Sequence, residues 1–153
     1  MRSIIFVLIC ALSFTAACSA QPPSKAPDPI QKQLAAQDVL GEWFGDSTCT
    51  GKNPYCHNEI VRYRFSEVKS DSKKVHLAAD KQVNGEWDLM GEFDLAIDPE
   101  KSTLTAEFTV PRTGGKAVWF FTVNGDKIDG TLADEPEHVI TRNVHVARKK
   151  ADH

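Results

Sequence analysis

Residues 49–59 read CTGKNPYCHNE, and they bring two thiols, an imidazole and a carboxylate into one short stretch. Three chemistries could use that set. Cys49, Cys56 and His57 could ligate a metal. His57 and Glu59 lie two apart, so on a strand they share a face and could exchange a proton. Oxidised, Cys49 and Cys56 could close the Gly/Asn/Pro loop between them. Structural zinc prefers closer cysteine pairs with a second pair elsewhere, and the remaining cysteines, Cys10 and Cys18, stand in the N-terminal segment. An acid–base pair needs a substrate pocket and a third, orienting group. The chain also carries no nucleophile–base motif and no phosphate loop. The expectation is therefore a disulfide between Cys49 and Cys56, with no enzyme activity, metal or cofactor.

That expectation depends on export, because disulfides persist in oxidising compartments. The chain opens with Arg2, an apolar run from Ile4 to Phe14, and the small residues Ala16, Ala17, Ser19 and Ala20. This is the anatomy of an export signal, and the run is short of the ~20 apolar residues that span a bilayer. Thr15-Ala16-Ala17-Cys18 resembles a bacterial lipobox, which implies a lipid anchor on Cys18. Ordinary cleavage after Ala20 is the alternative. Both cuts leave Cys49 and Cys56 as the cysteines able to pair. The expected organisation is a signal peptide over 1–17, a Pro-rich tether over 18–29, one domain over 30–150 and a tail over 151–153. The expected location is the periplasmic side of a bacterial membrane as a lipoprotein, or secreted or periplasmic if no lipid is attached. The formal net charge is −3, with both signs interspersed. Nucleic acid is excluded as a partner, since phosphate binding needs clustered positive charge.

The elements that must position these residues are strands. From Trp87 to Ile97 the odd positions are mostly apolar and Asp88, Glu92 and Asp94 are acidic, the alternation of a strand with one buried face. The same reading gives eight strands near 39–46, 59–68, 74–82, 86–97, 103–110, 116–123, 127–132 and 138–148. Asn84-Gly85 and Asn124-Gly125 are hairpin signals. No gap between strands is long enough for a crossover helix, so consecutive strands pair antiparallel. The predicted fold is all-β, an eight-stranded antiparallel up-and-down barrel, with a β-sandwich as the alternative. A short N-terminal helix is expected over 30–37. The apolar outer positions Val118 and Phe120 call for a cover, from that helix or from a second subunit.

Gly41-Glu42-Trp43 opens the first strand, and Cys49 and Cys56-His57-Asn58-Glu59 follow. With the all-β run after it, this resembles the calycin or lipocalin-like barrels, in particular small uncharacterised bacterial members, over Val39 to Lys149. The resemblance implies that Trp43 sits at the closed end and that a basic residue of the last strand packs across its indole. Arg148 shares parity with Val144 and Val146 and fills that role; Arg142 lies near the other end of the strand. The family's Thr-Asp-Tyr motif has no counterpart here.

If Trp43 marks the closed end, the loops after strands one, three, five and seven form the open mouth. That places His57, Glu59, Asn84, Arg112 and His138 as candidate ligand-binding residues around one rim. Tyr63, Phe65, Trp87, Phe93, Phe108, Trp119 and Phe121 mostly fall on inward parities, and they either fill the barrel below a shallow mouth or line a ligand cavity. The expected function is binding of a small, partly apolar ligand at the mouth. The alternative is a tethered protein–protein module, such as an inhibitor of an envelope hydrolase, with the stapled loop as contact element. Oligomeric state is left open.

Overall fold

Alternation of apolar and polar residues, broken at short turns, leaves this chain one economical arrangement. In the computed structural model, residues 33–51 and 55–149 are described. They form β1 (Gly41–Cys49), β2 (Glu59–Glu67), β3 (Lys74–Val83), β4 (Glu86–Asp98), β5 (Thr103–Thr109), β6 (Lys116–Asn124), β7 (Lys127–Glu135) and β8 (Val139–Arg148). Each strand pairs antiparallel with the next, and β8 returns to β1, closing the barrel. Closure leaves no second sheet, so the sandwich alternative is excluded. Asn84 and Gly85 have φ of 52° and 89°. Both are positive, as the tight β3–β4 hairpin requires. β7 continues past its expected end at 132 through a register shift at Leu132/Ala133 and stops before Pro136, which has no N–H for a ladder.

The inward side chains fill the barrel from its closed end. Trp43, Leu77, Leu95, Leu104, Phe121 and Ile128 are fully buried. Phe121 pairs in register with Gly130. A Cβ on Gly130 would lie 2.2 Å from the Phe121 ring, so the glycine leaves room for the ring to cross the interior.

The alternation expected along β4 fails at one point. Ala79 pairs with Gly91, but Asp80 pairs with Leu89, so β4 carries one extra residue and bulges. Above the bulge the parity reverses. Trp87 therefore lies outside the barrel rather than inside it, against Phe44 at 5.9 Å and under Arg62 at 4.9 Å. Beside it on the outer wall, Asp80 accepts hydrogen bonds from Arg62 Nε (2.9 Å), Arg64 Nε (2.8 Å) and Arg64 Nη2 (3.0 Å). Burial alone would raise the Asp80 pKa; these bonds override it and hold the carboxyl below its usual value.

The N-terminal segment also departs from expectation. Its described part is a single 3₁₀ turn, Ala36–Asp38, not a helix over 30–37. Leu34 N donates to Pro99 O at 3.1 Å, and Leu34 and Val39 are buried with Trp43 in the core. Inserting Leu34 into the barrel end decides the conformation over weak helix propensity. The segment thus plugs the closed end instead of covering the outer wall, and Phe120 stays 41% exposed. Arg148 stacks over Trp43 at 4.3 Å, pairs with it in register, and donates to the carbonyls of Leu40 (2.6 Å) and Asp38. Trp43 Nε1 donates to Val39 O at 2.8 Å. The signal, the Cys18 lipid site, the tether and the tail lie outside the described residues.

Candidate functional site

The filled core stops short of the open end. A cavity of about 480 Å³ remains there, within the range of small-molecule sites. One side is polar: Ser47, Glu59, Tyr63, Lys81 and Arg142. The other is apolar: Ala79, Leu89, Met90, Phe93, Phe108 and Leu132, with Trp119.

The polar side is assembled by register. Ser47 pairs with Glu59 across β1–β2 and with Val144 across β1–β8. Arg142, two residues before Val144, faces inward with it. Its Nη1 donates to Ser47 Oγ at 3.0 Å and lies 3.1 Å from Glu59 Oε2, and its Nη2 donates to His57 O at 3.2 Å. Lys81 Nζ stands 3.5 Å from Glu59 Oε1. Two cations therefore face one carboxylate on this wall. Lys81's register partner, Asp88, is exposed and does not line the cavity. Burial holds the Tyr63 hydroxyl far above the usual phenol range, with Arg142 pulling it down and Glu59 pushing it up. It remains a neutral donor at any physiological pH.

The apolar side is aromatic. Phe93 lies 4.8 Å from Phe108 and 6.4 Å from Trp119, and Trp119 stacks on Phe121 at 5.3 Å and 15°. β4 and β5 pair only through Ala96–Thr105, Ile97–Leu104 and Asp98–Thr103. Above those pairs the strands separate, and the Phe93–Phe108 contact bridges the unpaired stretch. Trp119 is 7% exposed, yet its buried Nε1 has no hydrogen-bond partner. A buried donor left unmet costs about 1–3 kcal/mol.

Topology brings the loops carrying the five expected mouth residues to this end, and Glu59 is the one whose side chain lines the cavity. His57 contributes its carbonyl to Arg142 while its side chain is exposed. Asn84 forms the β3–β4 turn, and Arg112 is exposed in the β5–β6 loop. His138, at φ 52°, is exposed and bonded to Glu135 Oε1 at 2.9 Å. The other strand histidines also pair with carboxylates outside the barrel: His76 with Asp94 at 2.8 Å and His145 with Asp129 at 2.7 Å. Lys81 and Arg142 are site residues that the sequence reading missed. Arg142 carried a usable signal, since it shares the parity of Val144, Val146 and Arg148.

Cys49 and Cys56 are bonded, with S–S 2.04 Å. The stapled loop is tied to its neighbours at both ends. Asn58 Oδ1 accepts from Cys49 N at 2.9 Å, Thr50 N donates to Thr141 O at 3.1 Å, and Thr50 Oγ1 donates to Ile140 O at 2.5 Å. Large exposed apolar side chains also gather at this end. Tyr55, Ile60, Leu89, Met90, Val139 and Ile140 are all 40% exposed or more, and each lies in the upper part of a strand or in the first loop. A broader depression of about 620 Å³ lies at the closed end, between the N-terminal segment and the β6–β7 turn. Among the described residues it carries no comparable aromatic wall. Comparison of the chain with protein-family models and with curated proteins finds no match to either.

Proposed function

We propose that this protein is a lipocalin-like, envelope-located binding protein that takes one small, partly apolar molecule into its open mouth. The observation that carries the reading is the 480 Å³ cavity, apolar on one side and polar on the other, above an otherwise filled barrel. The apolar collar fits the same reading, because an apolar ligand passing from water must cross that rim. Export and lipidation at Cys18 would place the mouth in the envelope. No group on the wall is arranged as a nucleophile with its base, so the role proposed is binding without chemistry.

A titration with the apolar fluorophore 1-aminoanthracene tests the reading. Saturable binding at one site is expected. Leu132→Trp should fill the cavity and abolish it, while Phe120→Ser on the outer wall should leave it unchanged. Binding that is indifferent to Leu132→Trp would reject the cavity as the site.

A second reading rests on Tyr55, which is 87% exposed in the disulfide loop. An exposed aromatic next to a disulfide suits a protein–protein contact, such as capture of an envelope hydrolase. Pull-down from an envelope extract with wild type and Tyr55→Ser tests it; equal capture by both would reject it.

A further inference from the structure

One seam of the closed barrel is incomplete. β4 pairs with β3 from Ala96 up to Glu86, yet it meets β5 only at Ala96–Thr105, Ile97–Leu104 and Asp98–Thr103. Continuing that register would set Asp94 opposite Glu107 and Phe93 opposite Phe108. Like charges directly opposite destabilise a ladder, which accounts for the strands parting there. β5 ends at Thr109, so Glu86–Gly91 of β4 runs past it. From Glu86 to Asp94, β4 thus has a free edge. Among the described residues no backbone hydrogen bond reaches that edge from β5 or from a loop. Alternate residues of a free edge present N–H and C=O groups to any further strand. We infer that this edge is a strand-addition site for a partner protein, and that it takes an extended segment in which Lys or Arg alternates with apolar residues.

The side chains along the edge set the chemistry of that segment. Glu86, Asp88, Glu92 and Asp94 of β4 and Glu107 of β5 are exposed. His76 pairs with Asp94 at 2.8 Å and lies 3.4 Å from Glu92, and Lys116 pairs with Glu107 at 2.9 Å. Glu86 and Asp88 carry no salt bridge among the described residues. The edge therefore stays net acidic. Between its acids stand Leu89 and Met90, 55% and 40% exposed, and Phe93 and Phe108 close the seam below them. An added strand points successive side chains to opposite faces. Basic residues on one face answer the acids, and apolar residues on the other answer Leu89 and Met90. The bulge at Leu89–Gly91 lies within this edge, where bulges commonly occur.

The same charges exclude a second copy as the occupant. β4 against β4 would gather the acids of both copies in one ladder. Charged residues on an edge deter pairing with other strands; here they deter all but a basic one.

The test titrates the protein with peptides of about seven residues, within the usual length of a strand. One alternates lysine with valine, one has glutamate in place of lysine, and one is the lysine–valine peptide N-methylated throughout, which removes its N–H donors but keeps its charge. The lysine–valine peptide should bind. Free-edge amides of Glu86–Asp94, followed by hydrogen exchange, should then slow at least about tenfold. The glutamate and N-methylated peptides should each bind at least about tenfold more weakly. Glu86→Lys/Glu92→Lys, at two exposed positions, should turn the preference to the glutamate peptide. Leu132→Trp, which fills the cavity, should leave peptide binding unchanged, so this inference and the cavity reading fail separately. Equal binding of the N-methylated peptide would mean charge attraction without a ladder and would overturn the inference. So would absence of binding by the lysine–valine peptide, protection away from β4, loss of binding in Leu132→Trp, or a preference that survives the charge reversal.

Discussion

Trp43 and Trp119 are two buried indoles in one barrel interior, and they differ in one respect. Trp43 Nε1 donates to Val39 O; Trp119 Nε1 has no partner. Replacing each with Phe should therefore give unequal results. Either change removes ~40 Å² of apolar contact, worth ~1 kcal/mol at ~25 cal/mol per Å². Either also leaves a void of ~40 Å³, costing ~1 kcal/mol more. At Trp43 the Val39 carbonyl is then left unpaired and the Arg148 stacking is weakened, which adds ~1–3 kcal/mol. The expected loss for Trp43→Phe is about 3–5 kcal/mol. At Trp119 the same substitution deletes an unmet buried donor and recovers ~1–3 kcal/mol, so Trp119→Phe should lie within about 1 kcal/mol of wild type. Urea unfolding followed by far-ultraviolet circular dichroism measures both without relying on indole fluorescence. With a slope of ~1.5 kcal/mol per M, the two midpoints should differ by about 2 M. Equal losses would refute the reasoning, because they would mean that the Trp119 N–H is satisfied in the ligand-free protein. A buried donor kept unmet at a binding site is a stability cost of the kind that function imposes.

Two further outcomes follow from the wall of the barrel. Asp80→Asn should destabilise by about 2–3 kcal/mol at pH 7, because Arg62 and Arg64 lose a buried charged partner. The Asp80 pKa is depressed in the folded state, so its contribution is full above the unfolded value near 3.8 and is lost as pH falls through the folded value. Denaturant midpoints of wild type and variant should therefore converge below pH ~4, and a constant gap down to pH 2 would contradict this account. Removing the disulfide with Cys49→Ser/Cys56→Ser should cost about 2.5 kcal/mol for a loop of sequence separation 7, measured by thermal unfolding. A loss near zero would contradict the view that the bridge stabilises by restricting the unfolded chain.

Strand positions were legible because each strand buries one face, and period-two alternation reports that directly. The Trp43–Arg148 stack was implied by the lipocalin-like resemblance, with parity on β8 picking out Arg148, and the Cys49–Cys56 bridge by cysteine arithmetic in a chain expected to be exported. The β4 bulge was not read, and it put Trp87 on the outer face. Its marker was present in Gly91, a glycine inside a strand pattern, which often signals a bulge. The N-terminal helix failed because Ala-rich propensity over so few residues is weaker than burial of Leu34 in the barrel end. At the site, the expectation dwelt on loop residues near the cysteines, while the cavity is built from strand residues of all eight strands. Contacts between Glu59, Lys81 and Arg142 join strands far apart in sequence, and register across a closed barrel sets them. The solitary indole N–H of Trp119 has no sequence signature, since it depends on what does not approach it.

The most direct test of the account is native mass spectrometry on the protein purified gently from the cells that make it. Wild type should carry one small molecule of discrete mass, released on unfolding, and the cavity-filled Leu132→Trp protein should travel without it. Wild type that is free of any such adduct in every preparation, or an adduct that Leu132→Trp retains, would contradict the claim that the mouth is a binding site.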